Sequence, residues 1–292
     1  MEKIIPNNLI KELIAIPKNF DLDLIDQESG FETKIFPFVS RSQFESLESS
    51  NPAIYKKLAR AGILFSFVLD IPRLKVYISN FGINQYDHDK ARVAPWWDIR
   101  DLGLSWLKKA NDNLFSALKE IEKDDVLKAD NTFFQDEFEL VSLFDFQKFY
   151  GIGKSPEVYQ YLSDIMREHL GLLLMSLGTC TVEELKSDPK LKEWLQKYLK
   201  NMAICSAIYN ANLLFINSGI VIQYEELPWQ KSVILSPEQV YKLGEQFSKS
   251  ADMYLQFIFD YMQKNASLFP CYQSQEVEFR TKIIPKKGGL FL

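Results

Sequence analysis

Residues 102–121, LGLSWLKKANDNLFSALKEI, and residues 243–262, LGEQFSKSADMYLQFIFDYM, decide how this chain folds. Apolar side chains recur in both stretches every three or four positions, the spacing that gathers them on one face of an α-helix. The two stretches match at a constant offset, and both begin with Leu-Gly. The matched apolar positions are Leu102, Trp106, Ala110, Leu114, Ala117 and Ile121, and then Leu243, Phe247, Ala251, Leu255, Ile258 and Met262. We therefore expect two long amphipathic helices with the same apolar stripe.

Shared landmarks precede the two helices in the same order. Asn51-Pro52 and Asp188-Pro189 each combine a capping side chain with proline at the first helical position, where no backbone N–H is needed. The later landmarks are Asn80-Phe81-Gly82-Ile83 with Asn217-Ser218-Gly219-Ile220, and Pro95-Trp96 with Pro228-Trp229. Order and spacing together predict two copies of one unit: a capped helix, a short strand ending at Asn-x-Gly-Ile, an irregular loop holding Pro-Trp, and a long helix. The alternative is that two unrelated amphipathic helices align on their stripes.

These patterns predict a mainly α fold with a few short β-strands, an α+β chain built from two tandem related helical units and an extended C-terminal arm. Capping signals at Ser155-Pro156, Thr181 and Ser236 start further helices, and the first of these is expected to run to about Leu177. The expected segments are an N-terminal helical segment (1–30), a first helical unit (31–124), an aromatic and acidic connecting region with one helix (125–187), a second helical unit (188–270) and a strand-forming arm (271–292).

Composition narrows the class of protein. The chain has 292 residues, of which 47% are hydrophobic and 25% charged, so it can bury a sizeable core and is not a disordered chain. A net charge of −5 disfavours a general nucleic-acid binder. No stretch approaches the roughly 20 apolar residues of a membrane span, and residues 1–6 lack the pattern of a secretory signal. We expect a soluble protein made in the cytosol that does not enter a membrane.

Three cysteines, Cys180, Cys205 and Cys271, are widely spaced and odd in number. That pattern predicts buried thiols in a reducing compartment, without a disulfide framework. The two histidines, His88 and His169, lie far in sequence from each other and from any metal-ligand spacing, so we expect no zinc site.

One segment is similar to a phosphate-binding loop, Gly151-Ile152-Gly153-Lys154-Ser155. A Walker loop needs glycine where Lys148 stands, so we interpret the segment as a turn into the helix that begins at Pro156. Asp87-His88-Asp89 is expected to be a solvated loop, and His169 a satisfied histidine at the edge of the core. Because no other catalytic motif occurs in the sequence, we predict no catalytic residues, no cofactor and no metal.

Residues 276–284 alternate between polar and apolar side chains, a strand pattern that lies outside both copies. A Pro-Lys-Lys-Gly-Gly spacer follows, and then the apolar Leu290-Phe291-Leu292. We expect this arm to add a strand to a neighbouring subunit and to insert its tip into an apolar pocket there; the alternative is that it folds back on its own domain. Residues 7–16 form an amphipathic segment that offers a second arm. The predicted interface residues are Val277, Phe279, Ile283, Leu290, Phe291, Leu292 and Trp97.

At the Asn-x-Gly-Ile segments and in the aromatic stretches before the helices, the chain resembles an uncharacterised protein family of Bacteroides-type bacteria and of the phages and prophages that infect them. The resemblance runs from Phe144-Asp145-Phe146-Gln147-Lys148-Phe149 through the 155–177 helix to Ile216-Asn217-Ser218-Gly219-Ile220, and is weaker in residues 31–124. It implies a head-to-tail connector, or neck ring, in a phage particle. It brings no catalytic residues to this chain.

We accordingly expect a structural, non-enzymatic virion protein. Identical subunits would form a ring by exchanging arms, bind neighbouring virion assembly proteins, and let DNA pass without tight binding. Acidic side chains at Asp136, Glu137 and Glu139, or at Asp87-His88-Asp89, are expected to face that channel. Two alternatives stay open: a cytoplasmic bacterial adaptor that binds a protein partner through aromatic loops, and an enzyme whose carboxylates are scattered in sequence.

Overall fold

The computed structural model describes residues 3–16, 20–79, 82–85, 96–209, 213–216, 219–222 and 237–272. Over these residues the chain is mainly helical, as the periodicity predicted. A 3₁₀ turn spans Leu22–Leu24. The helices and strands are α1 (Asn7–Leu13), α2 (Gln27–Lys34), α3 (Arg41–Ser50), α4 (Pro52–Lys75), β1 (Val76–Ser79), β2 (Gly82–Gln85), α5 (Trp96–Ile121), α6 (Asp125–Ala129), α7 (Thr132–Gln135), α8 (Leu143–Phe149), α9 (Pro156–Ser176), α10 (Val182–Ser187), α11 (Pro189–Tyr209), β3 (Leu213–Ile216), β4 (Gly219–Ile222) and α12 (Pro237–Lys264).

Side-chain caps begin the helices where the sequence placed them. The Asn51 carboxamide accepts a first-turn backbone N–H of α4 at 3.3 Å, and the Asp188 carboxylate accepts two of α11 at 2.8 and 3.1 Å. Ser155 caps α9, and Thr181 forms a complete capping box on α10. These predicted helix starts are confirmed, whereas Ser236 lies outside the described residues. Each cap satisfies N–H groups that have no partner inside the helix.

The apolar stripes of the two long helices are largely buried. Seven of the matched positions are at most 1% exposed, which confirms the direction of each stripe: Ala110, Leu114, Ala117, Ile121, Ala251, Ile258 and Met262. Leu102 is 47% exposed, so its assignment to the buried stripe was wrong. Leu69, toward the end of α4 that leads to β1, is 42% exposed as well.

A β-hairpin joins each of two helix pairs. α4 continues through antiparallel β1 and β2 toward α5, and α11 continues through β3 and β4 toward α12. The expectation of one strand ending at Asn-x-Gly-Ile was wrong, because Gly82 and Gly219 begin a second strand opposite Ser79 and Ile216. Two residues separate the strands in each case, the spacing of the tightest hairpins. Those residues, 80–81 and 217–218, lie outside the described part of the chain.

The start of α5 also differs from the expectation. Trp96 is the first residue of α5 and Trp97 its second, so the irregular loop predicted at Trp96 is replaced by helix. Asp98 in the same turn places a negative charge at the positive end of the helix dipole, which favours a helix start there. Pro228-Trp229 lies outside the described residues.

The connecting region 125–187 contains five helices, α6 to α10, and not the single helix expected. Short local caps account for the additional ones. Asp124 caps α6, Asn131 caps α7 and Ser142 caps α8, each accepting backbone N–H groups of the following turn. A segment rich in such residues forms short helices even where no long apolar stripe is present. The predicted helix 155–177 is confirmed as α9.

The buried side chains form one hydrophobic cluster that runs from Ile5 to Cys271. The N-terminal helix belongs to it: Ile10 is 1% exposed and α1 packs against α4 of its own chain. The Ile5 N–H also donates to the buried Gln27 carboxamide at 2.8 Å. The suggestion that residues 7–16 serve as a second exchanged arm was therefore wrong.

A disulfide joins Cys180 to Cys271, whose Cα atoms are 4.7 Å apart. The prediction of free thiols was wrong for this pair because the fold brings together two cysteines that are 91 positions apart, which sequence spacing does not show. The Thr179 N–H and hydroxyl each donate to the Cys271 carbonyl at 3.2 Å, so the contact is supported by the backbone. Cys205 is a free, buried cysteine, as expected.

Helices α2 and α4 cross where glycine allows close approach. A Cβ on Gly62 would meet the ring of the fully buried Phe31 at 2.3 Å, and a Cβ on Gly30 would meet the backbone N of Ser66 at 2.6 Å. The crossing therefore leaves no room for a methyl group on either helix.

We predict that Gly62→Ala lowers the free energy of unfolding by about 1–3 kcal/mol, because Phe31 must move in a packed core. Gly171→Ala is the matched control: it also lies inside a helix, but its Cβ would meet nothing within 4 Å. The control should gain about 0.5–1 kcal/mol from improved helix propensity. Urea unfolding of both variants measures the contrast, and equal effects would contradict the close crossing.

We predict that Cys271→Ser lowers the free energy of unfolding by about 2–4 kcal/mol, because the disulfide restricts the unfolded chain over a long loop. The melting temperature of the natural protein should fall on addition of dithiothreitol, and that of Cys271→Ser should not respond. Cys205→Ala should keep the response of the natural protein. If the natural protein and Cys271→Ser melt alike without reductant, the disulfide does not form.

Candidate functional site

Two backbone N–H groups of the glycine-containing turn before α9 are bound within the protein itself. The Gln147 carboxamide oxygen accepts the N–H groups of Ile152 and Lys154 at 3.2 and 2.8 Å. The Lys154 ammonium donates to Asp112 at 2.6 Å. It therefore does not point with the backbone N–H groups toward one common anion site. Gly153 and Lys154 both take positive φ, and the turn leads directly to the Ser155 cap. The interpretation as a turn into a helix is confirmed.

His169 is a half-buried histidine with a structural partner. Its Nε2 lies 2.9 Å from the Ser206 hydroxyl, which joins α9 to α11, and burial lowers the pKa of the imidazole. The expectation of a satisfied histidine at the core edge is confirmed. His88 lies outside the described residues. Among the residues described, no group of three or more His, Cys, Asp or Glu side chains is arranged to hold a metal.

A groove of about 630 Å³ lies beside α9. Arg167 stands in it, and its guanidinium donates to the Asp136 carbonyl, to Asp164 at 2.8 Å and to Ser163 at 3.2 Å. The same cation lies 5.9 Å from the Phe138 ring centroid. Its hydrogen bonds thus hold the α7–α8 connection onto α9, so they fix structure rather than present a charge to a ligand.

The acidic side chains of the α7–α8 connection differ in their exposure to solvent. Glu137 turns inward, where its carboxylate accepts the Leu143 N–H at 2.9 Å and burial raises its pKa. Asp136 is exposed, and Glu139 pairs with Lys186 at 2.7 Å. Nearby, the buried Tyr159 hydroxyl donates to the Val141 carbonyl at 2.6 Å, and burial raises its pKa. Glu137 and Tyr159, which line the groove, are therefore hydrogen-bonded to the backbone of their own chain.

A partly exposed cluster of aromatic side chains lies between α11 and α12. We call it the aromatic face, and it consists of Trp194, Met253, Tyr254, Phe257 and Tyr261. Trp194 of α11 lies 5.7 Å from Phe257 and 5.5 Å from Tyr261, and Tyr254 lies 6.1 Å from Phe257, all between ring centroids. Met253 and Phe257 are each 41% exposed. The α12 members lie on one flank of its buried stripe because they recur every three or four residues.

Charged and polar groups surround this aromatic face and fix its rings. The Lys197 ammonium lies 5.4 Å from the Tyr254 ring centroid and pairs with Glu193, whose hydrogen bond raises the Lys197 pKa. The Tyr261 hydroxyl donates to the Asp188 carboxylate at 3.0 Å, and this bond raises the pKa of the phenol. Asp188 therefore caps α11 and holds the end of α12. A preordered aromatic surface of this kind loses little side-chain entropy when a partner covers it.

The disulfide lies at one end of the aromatic face. Phe269 is buried and packs against Tyr261 with 6.1 Å between ring centroids. Two residues later Cys271 is held by Cys180, and the Tyr272 ring stacks on Phe259 at 6.4 Å. The chain thus reaches residue 272 in a fixed position beside the aromatic face.

Sequence reasoning missed the aromatic face, although a signal was present. The spacing of Tyr254, Phe257 and Tyr261 beside the buried stripe widens the apolar arc of α12 beyond what one partner helix covers. The side chain of Trp97, the predicted interface residue of α5, lies outside what the structure describes. The other predicted interface residues, Val277, Phe279, Ile283, Leu290, Phe291 and Leu292, lie outside the described residues, as does Asp87-His88-Asp89.

The sequence model of one protein family matches residues 39–122 and 171–278, which together make up more than half of the chain. It is described as a family of unknown function, DUF6712. No curated protein and no solved structure matches the chain significantly. In the described residues, no helix has the length and apolar character needed to cross a membrane.

We predict that Glu137→Gln stabilises the protein at pH 7 and leaves its stability at pH 4 nearly unchanged. Burial raises the Glu137 pKa above its ordinary value of 4.5, so the folded state prefers the protonated carboxyl. The associated stability is present below pH 4.5 and is lost as the pH rises through the folded-state pKa. Glutamine keeps the acceptor for Leu143 and does not ionise.

Urea unfolding at the two pH values tests this prediction. Glu139→Gln is the control, since it removes an exposed ion pair with Lys186 and should cost less than about 1 kcal/mol. A Glu137→Gln variant that is less stable than the natural protein at pH 7 would show that the buried carboxylate is favourable.

Proposed function

The chain belongs to the DUF6712 family of unknown function, and from that starting point we propose that it is a structural, non-enzymatic protein of a tailed-phage particle. In this proposal it forms a ring of identical subunits at the head-to-tail connector, in contact with neighbouring virion assembly proteins. Residues 273–292 pass from each subunit to the next, beyond the disulfide that holds Cys271 to Cys180 of its own chain. The protein needs no cofactor for this role and binds no membrane.

The aromatic face is the observation that carries the assembly part of the proposal. Large aromatic and methionine side chains are enriched in protein interfaces and supply most of their binding energy. A single exposed apolar residue such as Val126 needs no explanation, but the rings of Trp194 and Tyr254 each contact the ring of Phe257 and form a continuous patch. A subunit that displays such a patch is suited to association with another protein surface.

A tandem arrangement of two related units is part of this proposal. Both helix–hairpin–helix segments, α4 to α5 and α11 to α12, begin with an N-cap followed by proline and contain a glycine at the second strand's start. The family match likewise falls into two parts, and each part includes one of these segments. We propose that they are two related units of one repeat. Two related but unequal units in one chain provide the different surfaces that a head-to-tail ring requires.

The virion role rests on the resemblance of the sequence to phage-associated proteins. The net charge of −5 is compatible with it, because a lumen that repels phosphate lets DNA pass without adhering. Glu137 is turned into the protein, so Asp136 and the Lys186-paired Glu139 are the described acidic groups of this run that remain available to such a lumen.

An adaptor that binds a different protein is the second candidate, and the same aromatic face favours it. The two candidates differ in what covers the face: another copy of this chain in a ring, or an unrelated partner in an adaptor. Their difference is therefore visible in the size of the purified protein.

We predict that the purified full-length chain sediments as a closed oligomer and that negative-stain images show rings. Deletion of residues 285–292 should shift the distribution to monomers, because the apolar Leu290-Phe291-Leu292 is lost. Sedimentation velocity and light scattering measure both states, and circular dichroism checks that the deletion variant keeps its helices. A natural chain that is monomeric at every concentration would contradict the ring and favour the adaptor.

A further inference from the structure

We propose that the Cys180–Cys271 disulfide is a redox switch. In the closed form it joins residues 178–180, between α9 and α10, to residues 270–272, after α12. A small thiol opens it, and the two segments then separate while the helix pairs stay folded. This inference goes beyond the proposed function and holds for a ring subunit and for an adaptor alike.

Few noncovalent contacts join the two segments beside the disulfide. The Thr179 N–H and hydroxyl both donate to the same acceptor, the Cys271 carbonyl, at 3.2 Å. The backbone bond belongs to an isolated antiparallel bridge between Gly178 and Tyr272. Each such hydrogen bond replaces one with water, so its net contribution to stability is small. The disulfide is therefore the main link between the two segments.

Each segment also has attachments of its own that do not involve the other. Phe269 is buried against Tyr261, and the Tyr272 ring stacks on Phe259, so the chain end is held to α12. On the other side, Thr181 begins α10 with a complete capping box. Separation of the two segments therefore requires neither α10 nor α12 to unfold.

The helices on both sides of the bond are held by the hydrophobic core. α11 packs against both α9 and α12. Ala203 and Ile204 of α11 are fully buried, as is Ala251 of α12, and Ile258 is 1% exposed. A region with few buried contacts opens at a lower free energy than a packed core of this kind. Loss of the bond is therefore expected to act on the junction first.

The disulfide lies just beneath the surface. Cys180 and Cys271 are 6% and 9% exposed, and their chain neighbours Thr179, Thr181 and Pro270 are exposed. A bond between two surface segments needs only a local opening to admit a small thiol. The position of the bond therefore suits reversible reduction in the folded protein.

Reduction proceeds by two thiol–disulfide exchanges. A small thiolate attacks one cysteine sulfur, forms a mixed disulfide with it and releases the other cysteine as a thiolate, which takes up a proton. A second small thiolate attacks the sulfur of the small molecule in that mixed disulfide, and the remaining cysteine leaves and is protonated. Two small thiols are thus oxidised to one small disulfide while the protein gains two thiols. Thiols of the glutathione class in a reducing compartment open the switch, and an oxidising environment closes it.

Hydrogen–deuterium exchange of the full-length chain, with and without dithiothreitol, tests this switch. After brief labelling, we expect peptides that contain Thr179 or Tyr272 to exchange about tenfold faster or more in the reduced chain. Peptides from α11 around Ile204 should stay protected in both forms, and circular dichroism should show unchanged helix content. Oxidised glutathione should restore the slow exchange. Cys271→Ser should exchange like the reduced chain under both conditions, and Cys205→Ala like the natural chain.

Each other outcome overturns the switch. If the Thr179 amide stays equally protected after reduction, the junction is closed without the bond. If α11 loses protection together with the junction, the bond holds the whole fold and is not a local switch. Alkylation followed by mass spectrometry counts the thiols, and a bond that is absent from the natural chain or resists dithiothreitol in the folded chain is no redox switch. The size of the assembly enters none of these readouts, so the proposed function is tested separately.

Discussion

Packing of each long amphipathic helix against the helix before its hairpin is the interaction on which the rest of the fold depends. Ala110 of α5 and Ala251 of α12 are fully buried, so small side chains let the helices of each pair approach closely. The remaining helices then cover the outer sides of these pairs. α1, α2 and α3 pack on α4, whereas α9 and α10 pack on α11. The first pair is thereby enclosed on more sides than the second, and this is why an aromatic surface remains exposed beside α11 and α12.

The disulfide gives the second pair a closure that the first pair lacks in the described residues. It joins the connection between α9 and α10 to the segment after α12, so the loop it closes contains α10, α11, β3, β4 and α12. Local backbone bonds from Thr179 support the same junction. The covalent link therefore fixes the position from which residues 273–292 continue, in addition to any gain in stability.

Local signals in the sequence predicted the helix starts well and the long-range contacts poorly. The caps at Asn51, Asp188 and Thr181 act within one turn, so their residue types were sufficient to predict them. The disulfide joins residues 91 positions apart, and the sequence around each cysteine does not indicate that the two are paired. The helices of residues 125–187 were mostly missed because each is too short to display an apolar period. Leu102 was misplaced because periodicity gives the direction of a side chain but not how far the neighbouring elements extend.

Polar groups have different roles in the groove beside α9 and at the aromatic face. This contrast favours protein association over catalysis at the aromatic face. Beside α9, Arg167 and Glu137 make hydrogen bonds within the protein: Arg167 donates to the Asp136 carbonyl and to Asp164, and Glu137 accepts the Leu143 N–H. At the aromatic face, Lys197 and Asp188 instead hold rings in place while the apolar surfaces of Met253 and Phe257 stay in contact with water. Contact with water is unfavourable for such surfaces, and a second apolar surface removes it without requiring any group to change its charge. Cover by another apolar surface is therefore the change that this part of the molecule favours.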